Sequence, residues 1–398
     1  MLNSRPFDTA RNTIKVALIV SFITLLWLPS LDGLFHWDET PQVNEKRALA
    51  SFPSFQPGLS GLRSFLSGLE AFYNDHFGFR RRLVYCGQRW RKAWFQESPL
   101  PTVMIGLDGW LFYSDDQTVE DIRATALFKP GQLQAWKLLL QRRRDWLAQR
   151  GIRYLFVVAP DKHSIYPEKL PTWIKQVGPL TKLDQFMAYM KANSTVPTVD
   201  LRPALVRAKG NGPTYLLTDT HWNQYGAFIG YRELMQTLSK QLPGLEPLSL
   251  DAFARSTRAE PGGNLASMLA QGHTTLENRC PNLSPRPPLS PLRVTRDKAD
   301  PARLITENGD RTGKAVVFRD SFSEAWVPLV GYHFNKVIYS WQYHWSRALI
   351  ENEQPDVVID ELLEHYFYQQ DPARLKLLDG LDEPPPTGMR AAVAIQID

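Results

Sequence analysis

Apolar residues in the second half of this 398-residue chain recur as short continuous runs that alternate with amphipathic segments. The run Tyr154–Ala159 is typical of a strand that is covered on both faces of a parallel sheet. Such alternation predicts a three-layer α/β/α sandwich, with ligands bound beyond the carboxyl ends of its strands. Further strands are predicted at Val196–Val199, Ala315–Phe318, Val337–Tyr339 and Val357–Ile359.

Helices are predicted where apolar residues follow helical spacing. Pro130 begins one such helix, and Gly151 ends it. The two apolar runs within Val103–Tyr113 instead predict a β-hairpin, because an Asp-Gly turn signal separates them. Other helices are predicted at Leu59–Trp94, at Leu183–Met190, after Asn223, and from Asp360 to Tyr366.

The N-terminus has the pattern of a membrane-targeting segment. Arg5, Arg11 and Lys15 precede an apolar run from Val16 to Leu31, and no small-residue cleavage site follows it. This pattern predicts an uncleaved transmembrane signal anchor, with the N-terminus in the cytoplasm and the rest of the chain outside.

Four regions follow from these patterns. Residues 1–35 are predicted to form a cytoplasmic stub and anchor, and residues 36–100 a juxtamembrane and helical region. Residues 101–370 form the predicted α/β domain, and residues 371–398 a C-terminal tail. The segment Pro281–Leu292 is too rich in proline for regular structure, so an inserted loop is predicted there.

Composition excludes several classes of function. The net charge of +5 is mild for this length, and no nucleic-acid-binding module is recognisable, so no nucleic-acid partner is predicted. Cys86 and Cys280 are the only cysteines, and the sequence leaves open whether they pair. No Cys/His cluster has metal-ligand spacing, and no glycine motif for phosphates or dinucleotides occurs, so neither a metal nor a cofactor is predicted.

Candidate chemistry appears at two places about a hundred residues apart. Ser321 lies between a predicted strand and a predicted helix, where its hydroxyl would be exposed beside N–H groups able to hold an oxyanion. Asp219 and His221 are two residues apart, so in an extended segment their side chains project to the same side. A serine hydroxyl needs a base, and a carboxylate orients the imidazole that serves as one. These residues predict an esterase or acyltransferase with Ser321 as nucleophile, His221 as base and Asp219 as orienting group.

Structural alternatives exist for each of these residues. Ser321 could merely cap the following helix, and Ser323 could be either the better cap or the nucleophile. His221 could be a core histidine beside Trp222. Asp320 is expected to shape the turn rather than to transfer protons.

Candidate substrate contacts lie near the same sheet edge. Lys162 and His163 follow a buried strand, so either could touch substrate, although a solvated loop lysine is the competing interpretation. Aromatic residues that could form a sugar-stacking platform, or could simply pack in the core, are Trp222, Trp341, Tyr343 and His344.

Together these segments resemble the SGNH hydrolase-like alginate O-acetyltransferases, the AlgJ/AlgX family. The resemblance implies an SGNH-like fold with a permuted block order, in which the serine block follows the Asp-x-His block. It also implies acetyl transfer to an exopolysaccharide in the Gram-negative periplasm, with the roles given above for Ser321, His221 and Asp219. The matching segments are Asn44–Pro53, Tyr73–Gly78, Gly106–Tyr113, Val158–Lys162, Thr218–Trp222 and Phe318–Ser323.

The resemblance further implies partners: an alginate-like or cellulose-like acceptor, a membrane-bound O-acyltransferase as acetyl donor, and the inner membrane through the N-terminal helix. One departure is Arg319, which stands where a glycine is expected and could alter the oxyanion pocket or contact an anionic sugar. No asparagine block is evident, so the second oxyanion donor is unassigned. A polysaccharide deacetylase with the same site and a non-catalytic scaffold of an export complex are the alternative functions.

Overall fold

The computed structural model describes residues 5–35, 37–38, 50–80, 82–83, 86–87, 98, 100–114, 117–269, 271–272, 275–289, 292–298, 300–341, 345–370 and 372. The chain separates into two compact units. One comprises Met1–Pro99, Ser267–Ala270 and Pro385–Asp398, and the other comprises Leu100–Ala266 and Gln271–Pro384. Apart from residue 372, the predicted C-terminal tail lies outside the described residues.

The first unit contains two long helices, Arg5–Phe35 and Leu59–His76. Apolar side chains of the first helix, including Val16, Phe22 and Leu25, are exposed. Among the residues that the structure describes, however, no helix is both long enough and apolar enough to cross a membrane. The predicted transmembrane anchor is therefore not shown.

The second unit is built around a seven-stranded sheet. The strands of this unit are β1 Val103–Ile105, β2 Leu111–Tyr113, β3 Arg153–Ala159, β4 Thr198–Asp200, β5 Phe253–Pro261, β6 Leu276–Pro285, β7 Val294–Arg296, β8 Leu304–Glu307, β9 Lys314–Arg319, β10 Lys336–Trp341 and β11 Val357–Leu363. In the sheet they lie in the order β4-β3-β11-β9-β10-β8-β7, and the first five run parallel to one another. A short hairpin, β1 with β2, and a two-stranded ribbon, β5 with β6, lie outside this sheet.

Helices cover both faces of the sheet, because successive strand side chains point to opposite sides. Tyr154 of β3 packs in one apolar core with the helices Pro130–Ala148 and Lys182–Asn193. The next residue, Leu155, packs in the other core with the helix Gln224–Ser239. The predicted three-layer α/β/α architecture is confirmed. The remaining helices from residue 100 onward are Thr118–Ile122, Lys162–Ile165, Arg202–Ala208, Asn264–Met268, Val327–Gly331, Arg347–Glu353 and Glu364–Gln369.

The predicted loop Pro281–Leu292 is wrong for its first half, because β6 continues to Pro285. Pro281 pairs with Thr257 and Pro285 pairs with Phe253 in the antiparallel β5–β6 ribbon. Proline cannot donate to a strand ladder, but an edge position does not require that donor. A two-stranded ribbon has only edges, so it tolerates prolines that a central strand would exclude.

The helix predicted from Asp360 begins at Glu364 instead, because β11 continues to Leu363. Asp360 is buried within the sheet, where it accepts hydrogen bonds from the Tyr154 hydroxyl at 2.7 Å and from Arg143. These hydrogen bonds satisfy the buried carboxylate of Asp360. A charged residue at this point of the sequence instead favours the exposed start of a helix, which is why the predicted boundary was too early.

Candidate active site

The carboxyl ends of the parallel strands β3, β9 and β11 lie at one edge of the sheet. Ser321 follows β9 at this edge, is partly exposed, and precedes a 3₁₀ turn over Phe322–Trp326. The helix predicted after the serine is therefore this short turn followed by the helix Val327–Gly331. The turn holds the serine clear of the sheet, as a nucleophile requires.

The loop that carries the Asp-x-His pair is tied to the same edge. The Tyr215 hydroxyl donates to the Pro160 carbonyl, which follows β3, over 2.5 Å. At the far end of the loop, Asn223 caps the helix Gln224–Ser239 by accepting from the Gly226 N–H at 2.9 Å. Anchored at both ends, the loop presents its central side chains to the carboxyl edge.

The two segments meet at a continuous hydrogen-bond relay. His221 Nε2 lies 2.8 Å from Ser321 Oγ, and His221 Nδ1 lies 2.6 Å from Asp219 Oδ1. The indole Nε1 of Trp222 also donates to the Phe322 carbonyl at 3.0 Å, and this hydrogen bond links the segment after His221 to the segment after Ser321. Serine, imidazole and carboxylate thus stand in the order that general-base activation of a hydroxyl requires.

The alternative serine, Ser323, is fully buried and donates its hydroxyl to Glu361 Oε2 at 2.8 Å. A hydroxyl held in this way cannot meet a substrate. Of the two serines, only Ser321 combines exposure with contact to the imidazole.

Asp219 is held as a carboxylate. Burial opposes its charge, but the charge and hydrogen bonds of His221, together with the Asn264 N–H, outweigh burial and keep the pKa of Asp219 below its usual range. The Asn264 N–H donates to Asp219 Oδ2 at 2.7 Å, while the His221 N–H donates to Oδ1 at 2.9 Å. An ionised Asp219 fixes the ring of His221 with Nε2 directed at the serine.

A glycine–asparagine pair that the sequence analysis missed supports this carboxylate. A Cβ added to Gly263 would lie 2.4 Å from the Cβ of Asp219, so only glycine fits there. Asn264 accepts from the Thr220 N–H at 3.0 Å and donates from Nδ2 to Thr220 Oγ1 at 2.8 Å. The adjacent letters Gly262-Gly263-Asn264 were the available signal, because paired glycines often mark a close approach of backbone.

Lys162 lies behind the site instead of facing substrate. It is only 3% exposed, and its Nζ donates to the carbonyls of Leu216 at 2.8 Å and Leu217 at 3.1 Å. Burial lowers the pKa of Lys162 to about 7, although nearby carboxylates oppose the shift. From the other side, Glu277 accepts from the Leu217 N–H at 2.9 Å and from Thr218. Lys162 and Glu277 therefore hold the backbone of residues 216–218, which leads into Asp219, through hydrogen bonds from two sides.

Two further predicted substrate contacts are also buried. Arg319 is 2% exposed and lies over the Trp341 ring at 4.7 Å, while Trp222 is 3% exposed and packs within the core. Trp341 itself is partly exposed, so it keeps a surface that a ligand could reach. Tyr343 and His344 lie outside the described residues.

Asp320 and Glu361 form a buried carboxyl pair beneath Ser321. The Asp320 N–H donates to Glu361 Oε2 at 3.0 Å, the same oxygen that accepts from Ser323. Burial, reinforced by the adjacent Asp320, raises the pKa of Glu361 well above its usual value. Burial thus disfavours the charged form of Glu361.

Asp320 shapes the nucleophile turn, as predicted. Its Oδ1 accepts from the Phe322 N–H at 2.9 Å, and its Oδ2 accepts from the Leu363 N–H at 2.7 Å. The Phe322 N–H is thus bound to a side chain, so it does not supply the oxyanion donor expected at this turn.

With this geometry in place, comparison with known proteins identifies relatives. A profile of the family described as SGNH hydrolase-like domain, acetyltransferase AlgX, matches residues 103–318. The matched range includes Asp219 and His221 and ends just before Ser321.

Curated relatives include two proteins named "Probable alginate O-acetylase AlgJ". The protein from Pseudomonas aeruginosa is 30% identical over 225 residues, which cover 54% of this chain and 49% of the relative. The protein from Azotobacter vinelandii is 28% identical over 240 residues, which cover 60% of this chain and 54% of the relative. The chain thus spans about half the length of these relatives.

Among solved structures, Bacillus cereus PatB1 is similar in fold. The two share 17% sequence identity and superpose with a TM-score of 0.52. The match covers 68% of this chain and 99% of PatB1.

The contact between Gly263 and Asp219 predicts that Gly263→Ala displaces the carboxylate and weakens activation of Ser321. We expect sulfonylation of Ser321 by phenylmethylsulfonyl fluoride, followed by mass spectrometry, to slow by about 10- to 100-fold. Gly131→Ala is the matched control, because a Cβ at Gly131 meets open space. Equal labelling rates in both variants would contradict this role for Gly263.

The raised pKa of Glu361 predicts a pH-dependent stability difference. Between the unfolded-state pKa and the folded-state pKa, the native protein binds the extra proton, so wild-type stability falls as pH rises through this window. Glu361→Gln mimics the neutral acid and removes that dependence. Urea unfolding from pH 5 to pH 8 should therefore show the variant gaining stability relative to wild type. Glu246 is exposed, so Glu246→Gln should show no such trend. A stability difference between Glu361→Gln and wild type that does not change with pH would contradict a raised pKa for Glu361.

Proposed function

Because the chain belongs to the family described as SGNH hydrolase-like domain, acetyltransferase AlgX, we propose that it is a serine-dependent O-acetyltransferase that acts on an exopolysaccharide. The observation that carries the proposal is His221, which contacts Ser321 Oγ through one ring nitrogen and Asp219 through the other. The partial exposure of Ser321 and His221 gives substrates access to the reacting atoms.

In the first half-reaction, Ser321 Oγ attacks the carbonyl carbon of an acetyl donor while His221 Nε2 accepts the hydroxyl proton. Asp219 stabilises the resulting imidazolium through Nδ1. The tetrahedral intermediate then expels the donor group, which takes the proton from Nε2. The product of this step is an acetyl ester on Ser321.

In the second half-reaction, a sugar hydroxyl takes the place of the departed donor. His221 removes its proton, the sugar oxygen attacks the acetyl-serine carbonyl, and collapse of the intermediate returns the proton to Ser321 Oγ. One ester forms as another breaks, so the reaction needs no cofactor. Transfer and not hydrolysis requires the sugar hydroxyl to outcompete water for the acetyl-enzyme.

The acceptor we propose is an alginate-like polysaccharide, since the curated relatives carry the name alginate O-acetylase. A cellulose-like glycan is the second candidate. Trp341 offers a partly exposed ring near the edge of the site, and aromatic faces commonly stack on sugars.

The proposed location is the periplasm, with the N-terminal helix at the inner membrane and a membrane-bound O-acyltransferase delivering the acetyl group. Support comes from the basic residues that precede the apolar run in the helix Arg5–Phe35. Alkaline phosphatase fused after Asp398 should be active in intact cells. An inactive fusion that is present at normal abundance would contradict the location.

Ser321→Ala should abolish the acetyl-enzyme that forms when purified protein reacts with 4-nitrophenyl acetate, as detected by intact mass spectrometry. Asp219→Asn should lower turnover by about 10³- to 10⁴-fold, because the ring of His221 loses its orienting charge. Ser64→Ala, an exposed serine in the other unit, should behave as wild type.

Supplying deacetylated alginate or cello-oligosaccharides in the same assay distinguishes the possible activities. A transferase yields acetylated sugar in proportion to acceptor, whereas acetate as the sole product would indicate an esterase. Undiminished acetyl-enzyme in Ser321→Ala would remove the nucleophile assignment.

A further inference from the structure

A second polar cluster lies at the carboxyl edge of the sheet, beside the proposed active site. Asp161 follows β3, and Glu364 follows β11, whose last residue Leu363 pairs with Ala159. His163 lies in the short helix that begins after Asp161. The three side chains are buried, and one ligand atom from each lies within 4.8 Å of the others.

The hydrogen bonding of the two carboxyl groups in this cluster is incomplete. Glu364 Oε2 accepts from the Asp161 N–H and from Ser164 Oγ, each at 2.7 Å, and Asp161 Oδ1 accepts from His365 Nδ1 at 2.7 Å. The other carboxyl oxygens, Glu364 Oε1 and Asp161 Oδ2, are buried and have no hydrogen-bond partner. Glu364 is 0% exposed and Asp161 is 6% exposed. Buried carboxyl oxygens are costly to leave unsatisfied, so a species that binds both of them would stabilise the fold.

Neither of the two nearby cationic side chains, Arg202 and Lys182, donates to these two oxygens. Arg202 donates to Asp200 and to Asp184, and its charge also acts on Glu364, while the Lys182 ammonium donates to the Gln117 side chain at 3.2 Å. A shared proton could link the two carboxyl oxygens of the cluster. A divalent cation would bind both oxygens and the imidazole nitrogen together.

We propose that Asp161, His163 and Glu364 bind one divalent transition-metal ion, for which Zn²⁺ is the best chemical match. One imidazole nitrogen and two carboxylate oxygens form a ligand set that Zn²⁺ accepts, whereas Mg²⁺ and Ca²⁺ favour oxygen ligands and larger numbers of them. The sequence alone predicts no metal, because these ligands include no cysteine and come from segments far apart in the chain.

The ion has a structural role, since its ligands are buried away from substrate. It joins the ends of β3 and β11, and β11 ends at Leu363, whose N–H donates to Asp320 Oδ2 beneath the nucleophile. Binding therefore stiffens the strand end on which the Ser321 turn rests. The chemistry of the proposed acetyl transfer does not pass through the ion.

The test uses the full chain, purified without added chelator and analysed by inductively coupled plasma mass spectrometry. Wild type should contain close to one zinc per chain. After removal of the metal with 1,10-phenanthroline, added zinc chloride should raise the melting temperature by about 3 to 5 °C at a hundredfold excess over Kd. Magnesium chloride should leave the melting temperature unchanged.

Glu364→Gln and His163→Gln should each lose both the bound metal and the zinc-dependent shift. Glu361→Gln is the matched control, because it replaces a buried carboxyl group three residues before Glu364 by the same amide and should keep both. Absence of metal together with no saturable shift in wild type would overturn the proposal, whether or not the variants fold. A zinc shift that persists in Glu364→Gln would also overturn it, because the ion would then be adventitious.

Discussion

The hydrogen bond between His221 Nε2 and Ser321 Oγ joins residues one hundred positions apart, and the site depends on that contact. Each partner is supported by groups that do not react. The histidine is fixed through Asp219, whose far oxygen is held by the Asn264 N–H. The serine is fixed by the Asp320 turn. The geometry is thus set before any substrate arrives, which lowers the cost of orienting the reacting groups.

Two carboxyl groups near this edge of the sheet, Asp219 and Glu361, serve opposite purposes. Asp219 receives hydrogen bonds from an imidazole and two backbone N–H groups, so it stays charged and orients the base. Glu361 is buried against Asp320, and these surroundings raise its pKa well above the usual value, so the charged form is disfavoured there. The difference arises from surroundings and not from residue type.

The parts of this arrangement that were predictable had simple sequence signals. Strands such as β3 and β9 are continuous apolar runs, and the Asp-x-His pair and the turn serine carry recognisable chemistry. Glu277 gave no comparable signal, and the paired glycines before Asn264 indicated only a close approach of backbone. The roles of both residues arise only when the β5–β6 ribbon, whose strand β5 is mostly exposed, folds beside the Asp219 loop. Lys162 was expected at the surface, as lysines usually are, but backbone carbonyls satisfy its ammonium group inside.

The β5–β6 ribbon does not pair with the main sheet, yet it carries Glu277 and leads through Gly263 to Asn264. Ser321 and His221 therefore belong to segments attached to the main sheet, whereas the restraint on Asp219 comes from the ribbon and the turn that follows β5. Loss of Glu277, Gly263 and Asn264 would leave the strands of the sheet in place but remove contacts that hold Asp219 against the imidazole. Substitutions in these outlying segments could accordingly alter reactivity without changing any atom that takes part in bond making.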